Sequence, residues 1–265
     1  MNKLFFNTKL ATLFLGAFLV MTSCNDDSNE DQVTEQQQIT KEDVMKNLEA
    51  LEASEYVDRM VMDQSLNIQN NGRTASTLPD DCVESDFSTP GSYSLTFTDC
   101  DIAGNMIDGK ITVSYTREEN TVSSTVTFEE FVFNDLAVNG TKTTTFVYNG
   151  ETNTCTYIVT SDLTIKKGED ETMVIVGTKT IEVVYNEEGY TKSTTGECNV
   201  TINEDSYVVV IDTPLVEVKG CDYVVSGIAN ITKNDITATL DYGDGTCDNL
   251  ATMTLPDGTS EEIEL

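Results

Sequence analysis

From Cys82 to the C-terminus, apolar and polar residues alternate in short runs. Tyr93-Ser94-Leu95-Thr96-Phe97, Ile111-Thr112-Val113-Ser114-Tyr115 and Thr125-Val126-Thr127-Phe128 each keep a period of two, which recurs over 178–185 and 228–242. Period-two alternation puts one apolar face on a half-buried strand. Pro90-Gly91, Asp108-Gly109, Asn139-Gly140, Asn149-Gly150, Lys167-Gly168, Glu188-Gly189 and Asn234-Asp235 punctuate these runs as predicted turns. The connections are too short for crossover helices, so the strands must pair antiparallel. The predicted fold is all-β, an antiparallel hairpin or meander sheet or a sandwich, over residues 80–265.

One segment upstream has a different period. Val44, Leu48, Leu51, Val57 and Val61 recur at helical spacing before Asn70-Asn71-Gly72. Thr40 is placed as N-cap, with Asp43 in the first turn. A single N-terminal α-helix is therefore expected within 39–72, packed along the β domain or standing as a spacer or partner-binding helix. A weak echo links two β runs. Gly140-Thr141-Lys142-Thr143-Thr144-Thr145-Phe146 is answered by Gly177-Thr178-Lys179-Thr180-Ile181-Glu182-Val183. The spacing is too uneven for a solenoid.

The first residues read as an address. Lys3 and Lys9 precede an apolar run from Leu10 to Met21, which is shorter than the roughly 20 residues a membrane span needs. Val20-Met21-Thr22-Ser23-Cys24 resembles a bacterial lipobox. That resemblance implies removal of 1–23 as a signal peptide and lipid attachment at Cys24, so the membrane becomes a partner through that lipid. Residues 24–38 carry acids and glutamines without apolar periodicity, which is the composition of a disordered leash. The acidic cluster behind Cys24 also resembles a surface-export signal of Bacteroidota lipoproteins. It implies an outer-membrane location facing the cell exterior.

Composition narrows the chemistry. The formal charge is −31, and loss of Lys3 and Lys9 with the signal would make it −33. Such a surface repels nucleic acid and anionic lipid and leaves basic partners or divalent cations open. Histidine and tryptophan are absent. Missing histidine removes Ser-His-Asp and Cys-His catalysis and the usual zinc sites. No G-x-S-x-G, P-loop or S-x-x-K pattern occurs. Acids are abundant enough for a glycosidase-like carboxylate pair, but no two of them stand out.

With Cys24 lipidated, six cysteines remain in an exported chain, which is a disulfide setting. Cys82 and Cys100 are symmetric about Gly91, and Cys221 and Cys247 are symmetric about Asn234. Hairpins turning there would set each pair face to face, with Cβ atoms ~4.5–5.5 Å apart. Cys155 and Cys198 are left for each other. A simple meander would put a strand between them, so either the meander fails or both are free thiols. Near the C-terminus, Asp241, Asp244 and Asp248 surround two glycines and are weak calcium candidates. Their spacing departs from the EF-hand rule, and a plain glycine-rich turn is the better account of them. No other cofactor is indicated.

LDYGDGTCDNLAT, CDYVVSGIANIT before it, IDTPLVEV before that and NGTKTTTF near the middle are similar to a family of Bacteroidota lipoproteins. The resemblance covers residues 92–265 and is most specific over 221–252. It implies a surface lipoprotein and transfers no catalytic residue. The expected role is binding or structural, toward a protein or glycan. The alternatives are a hydrolase of an extracellular polymer using a carboxylate pair, or a glycan-binding accessory protein of polysaccharide uptake.

Overall fold

The computed structural model describes residues 38–71, 81–187 and 189–265. Helix α1 (Lys41–Asn71) comes first. The strands that follow are β1 (Val83–Asp86), β2 (Ser92–Ile102), β3 (Asn105–Glu118), β4 (Thr121–Phe133) and β5 (Leu136–Asn149). Then come β6 (Thr154–Lys167), β7 (Glu171–Asn186), β8 (Gly189–Ile202) and β9 (Asp205–Val218). The last four are β10 (Ser226–Lys233), β11 (Ile236–Asp244), β12 (Leu250–Thr254) and β13 (Ser260–Glu264). They form one antiparallel sheet whose strand order is the chain order. The all-β class with one preceding helix is thus as the alternation predicts, and of the two layouts it is the meander.

The helix start follows from its cap. The Thr40 N–H donates to Asp43 Oδ2 at 2.8 Å, and the Asp43 N–H donates to Thr40 Oγ1 at 3.2 Å. This reciprocal pair is a capping box with aspartate in the glutamate position.

The sheet curls round that helix. Lys41 forms an ion pair with Glu261 on β13, whereas the Tyr56 ring lies 4.8 Å from the Phe133 ring on β4. Residues 41 and 56 are about 22 Å apart along a helix axis. In a flat sheet, nine strand spacings would separate β4 from β13 by about 43 Å. Curling resolves the mismatch and brings inward-facing residues of β2 through β13 into one core with Val44, Ala50, Ala53 and Val57. A second cluster, Phe146, Cys155, Tyr157, Val159 and Ile181, receives Met62 from the same helix.

Two predicted turns are corrected. Asp108-Gly109 and Asn139-Gly140 lie inside β3 and β5. Pairing shifts register between Asp108 and Lys110, and β4–β5 pairing lapses between Thr127 and Val132. Gly140 has φ +113, and a Cβ there would lie 2.2 Å from the Asp162 carbonyl oxygen. Glycine inside a strand thus marks a bend with close backbone approach rather than a chain reversal. Several actual reversals use non-glycine residues in the left-handed region, including Glu119, Asn134 and Asn203. Asn234 and Asp235 both have positive φ, as a two-residue hairpin turn of type I′ requires.

Cys82–Cys100 and Cys221–Cys247 are disulfides. In the first hairpin Val83 faces Phe97, so the pairing is centred one residue before Gly91. A bulge between Phe97 and Cys100, with Asp99 at φ 48, restores the match. Cys221 and Cys247 lie beyond the ends of β10 and β11, so their bridge joins two loops rather than facing strand positions. Cys155 on β6 and Cys198 on β8 are free, with β7 between them. Two strand spacings, about 9.6 Å, exceed what a disulfide spans. The meander therefore decides the open alternative in favour of free thiols.

Candidate ligand cleft

Helix α1 does not fill the trough. On one side it seats Ala50, Ala53 and Val57 against the sheet. On the other it leaves a cleft of about 690 Å³. Leu48, Leu51 and Glu55 line the helical wall, one and two turns apart. Ile175 of β7, Val209 of β9, Ala229 and Ile231 of β10 and Leu240 of β11 line the opposite wall. Each of these sits at an inward position of an alternating strand, which is why the sheet supplies an aliphatic surface. The same cleft reaches Gly177 on β7 and Gly196 on β8. A Cβ at Gly177 would lie 2.3 Å from the Cys198 Cβ across the rung, so the floor is bare there by necessity.

Buried charge holds the helix at this distance. Lys142 on β5 is 1 % exposed, and its Nζ contacts Asp58 Oδ1 at 2.6 Å. It also donates to the Ser54 carbonyl oxygen at 2.7 Å and to Ser54 Oγ at 2.8 Å. Lys179 on β7 reaches Asp58 Oδ2 at 2.8 Å and also pairs with Glu55. At the helix start, Asp43 accepts from the Tyr207 hydroxyl and lies 3.6 Å from Lys233 Nζ. Burial pulls the Lys142 ammonium pKa down, and Asp58 offsets this only in part. Burial also opposes the charge on Lys179, but there Asp58 and Glu55 outweigh it and the pKa rises.

Glu55 gives the pH dependence its sign. Burial pushes its carboxyl up, but Lys179, Lys192 and Lys142 outweigh burial and hold it at about 2, against an ordinary 4.5. A depressed carboxylate stabilises the folded state fully above its unfolded pKa and loses that contribution as pH falls toward the folded one. Glu55→Gln is therefore expected to melt below the parent at pH 7. The gap should close between pH 4.5 and 2, as circular-dichroism melts would show. A gap independent of pH would contradict this assignment.

Cys24 lies outside the described residues. Asp241, Asp244 and Asp248 come together with Glu262 around a hollow of about 170 Å³. Each turns one oxygen back on its own backbone: Asp241 accepts from the Gly243 N–H, Asp244 from Thr246 and Asp248 from Leu250. Such Asx turns shape the loop and need no ion. Among the described residues, no group of three or more acids and cysteines is arranged to hold a metal. Cys198 borders the cleft, and its thiol is pushed up to about 11 chiefly by burial, so it is a weak nucleophile. The carboxylates with displaced pKa values, Asp43, Glu55, Asp86, Asp244 and Asp257, all move downward.

The cleft residues carry no motif, but the lysines left a trace in the sequence. Lys142 and Lys179 occupy the same place in the Gly-Thr-Lys-Thr echo, and both reach Asp58. No family model, no curated protein and no solved structure matches this chain.

Proposed function

We propose that this chain is a lipid-anchored binding protein of the bacterial envelope whose cleft takes a small apolar molecule. The observation that carries the reading is the 690 Å³ cleft, whose sheet wall is largely aliphatic and whose helical wall sets Met45, Leu48 and Leu51 among charged side chains. Its volume falls within the roughly 300–1,000 Å³ of small-molecule sites. Leucine, isoleucine, valine and alanine make up most of the apolar side chains of the lining, against two tyrosines, Tyr223 and Tyr242, which favours an alkyl or other aliphatic body over a sugar that would stack on several aromatic rings. A general acid needs a raised pKa, whereas Glu55, the lining carboxylate whose pKa is displaced, moves downward. Lipid on Cys24, with residues 24–38 as a leash, would hold the cleft near an outer-membrane surface facing outward. The Bacteroidota lipoprotein resemblance supports that address.

The test uses the full chain in its native host. N-phenyl-naphthylamine, a neutral apolar fluorophore, should bind saturably at one site per chain. Ala229→Phe fills the cleft from the sheet side, and Leu51→Glu charges it from the helix side. Both should weaken binding at least tenfold while far-UV circular dichroism stays unchanged. Unaltered binding in both variants would overturn the reading. Cys24→Ala should release the protein from washed membranes and leave probe binding intact; retention in the membrane fraction would overturn the anchor.

A further inference from the structure

The charge on the cleft's rim is predominantly negative once existing ion pairs are set aside. Lys46 is engaged by Glu171 at 2.9 Å and Glu42 at 3.1 Å, and Lys179 by Asp58 and Glu55. Arg59 lies over the Tyr56 ring, 5.6 Å from its centroid, and is the one exposed lining cation with no ion pair among the described residues. Glu49 is engaged by Lys167 at 2.5 Å and Glu217 by Lys192 at 2.6 Å. Four lining acids remain exposed and have no ion pair among the described residues: Glu52, Asp222, Glu264 and, on β8, Glu197. Tyr223, next to Asp222, is 38 % exposed at the same rim. A carboxylate beside an open aromatic face attracts an organic ammonium group both by charge and through the ring quadrupole. The net charge of −31 adds a long-range field of the same sign.

We infer that the cleft's ligand is a cationic amphiphile, a long-chain amine whose alkyl body lies between α1 and β7–β11 and whose ammonium head sits among Glu52, Asp222, Glu264 and Tyr223. The inference rests on the apolar-cleft reading and adds the head group to it. An anionic amphiphile of the same length meets an excess of unpaired carboxylates at the mouth. A neutral one gains the aliphatic walls only. Each added methylene that enters the cleft tightens binding roughly fourfold, the equivalent of about 0.8 kcal/mol.

Displacement of N-phenyl-naphthylamine by decylamine, decanol and decanoate at submicellar concentration separates these cases. Decylamine is expected to displace the probe at about one tenth the concentration that decanol needs, and decanoate to be the weakest. Half-molar salt should narrow the amine preference, because it screens rim charges. The triple variant Glu52→Gln/Asp222→Asn/Glu264→Gln should lose the amine preference while decanol displacement is unchanged. Equal displacement by amine and alcohol, or tightest binding of decanoate, overturns the inference and leaves the apolar cleft standing. Failure of all three ligands and of the probe overturns both.

Discussion

Reduction of the two disulfides is expected to lower stability by about 6–8 kcal/mol. Cys82–Cys100 and Cys221–Cys247 close loops of 18 and 26 residues. Chain entropy assigns roughly 3–4 kcal/mol to each. A domain whose whole stability is of the order of 5–15 kcal/mol would stand near its unfolding midpoint without them. Urea titration with and without a phosphine reductant measures the sum. Cys82→Ser/Cys100→Ser and Cys221→Ser/Cys247→Ser measure each share. The second pair joins the loop carrying Asp222 and Tyr223 to the loop after β11, so its loss should also weaken amine binding, whereas loss of the first should not. Alkylation under native conditions should leave Cys155 unlabelled, since it is fully buried with a thiol raised to about 11. An unchanged urea midpoint on reduction would contradict the bridges' structural role.

Asp58→Ala is expected to cost about 3–5 kcal/mol, the range for removing one partner from a buried ion pair. Asp58 is 4 % exposed and touches two lysines with its two oxygens. Without it, Lys142 keeps only Ser54, in a site that already opposes its charge. Lys179 keeps Glu55 and stays closer to neutral balance. The double substitution Asp58→Leu/Lys142→Met removes both charges at similar volume and should recover much of the loss, since well-packed apolar replacements of buried pairs are often neutral. The cycle separates the cost of a stranded charge from the worth of the pair. If the double variant is as unstable as Asp58→Ala, apolar packing cannot replace the pair there, and the ion pair is needed for helix docking in its own right.

Features that depend on neighbours along the chain were legible from the residues alone. Alternation over 93–97, 111–115 and 178–185 specified strands because side-chain direction in a strand repeats every two residues. Thr40 and Asp43 specified a helix start because a capping box closes within one turn. The symmetric cysteine spacings named two bridges, although a bulge had to re-centre the first and the second joins loops rather than facing strand positions. The same local evidence misread Gly109 and Gly140, since a glycine that bends a strand and one that reverses the chain look alike until pairing on both sides is known. How far the sheet curls, which side of α1 stays open and which charges meet were set by long-range packing. Lys142 lies 88 residues from Ser54, Lys179 lies 124 from Glu55, and Tyr207 lies 164 from Asp43. No period or spacing encodes such pairs. They arise because thirteen strands must share one core with a single helix, and the cleft is the part of that trough the helix is too narrow to fill.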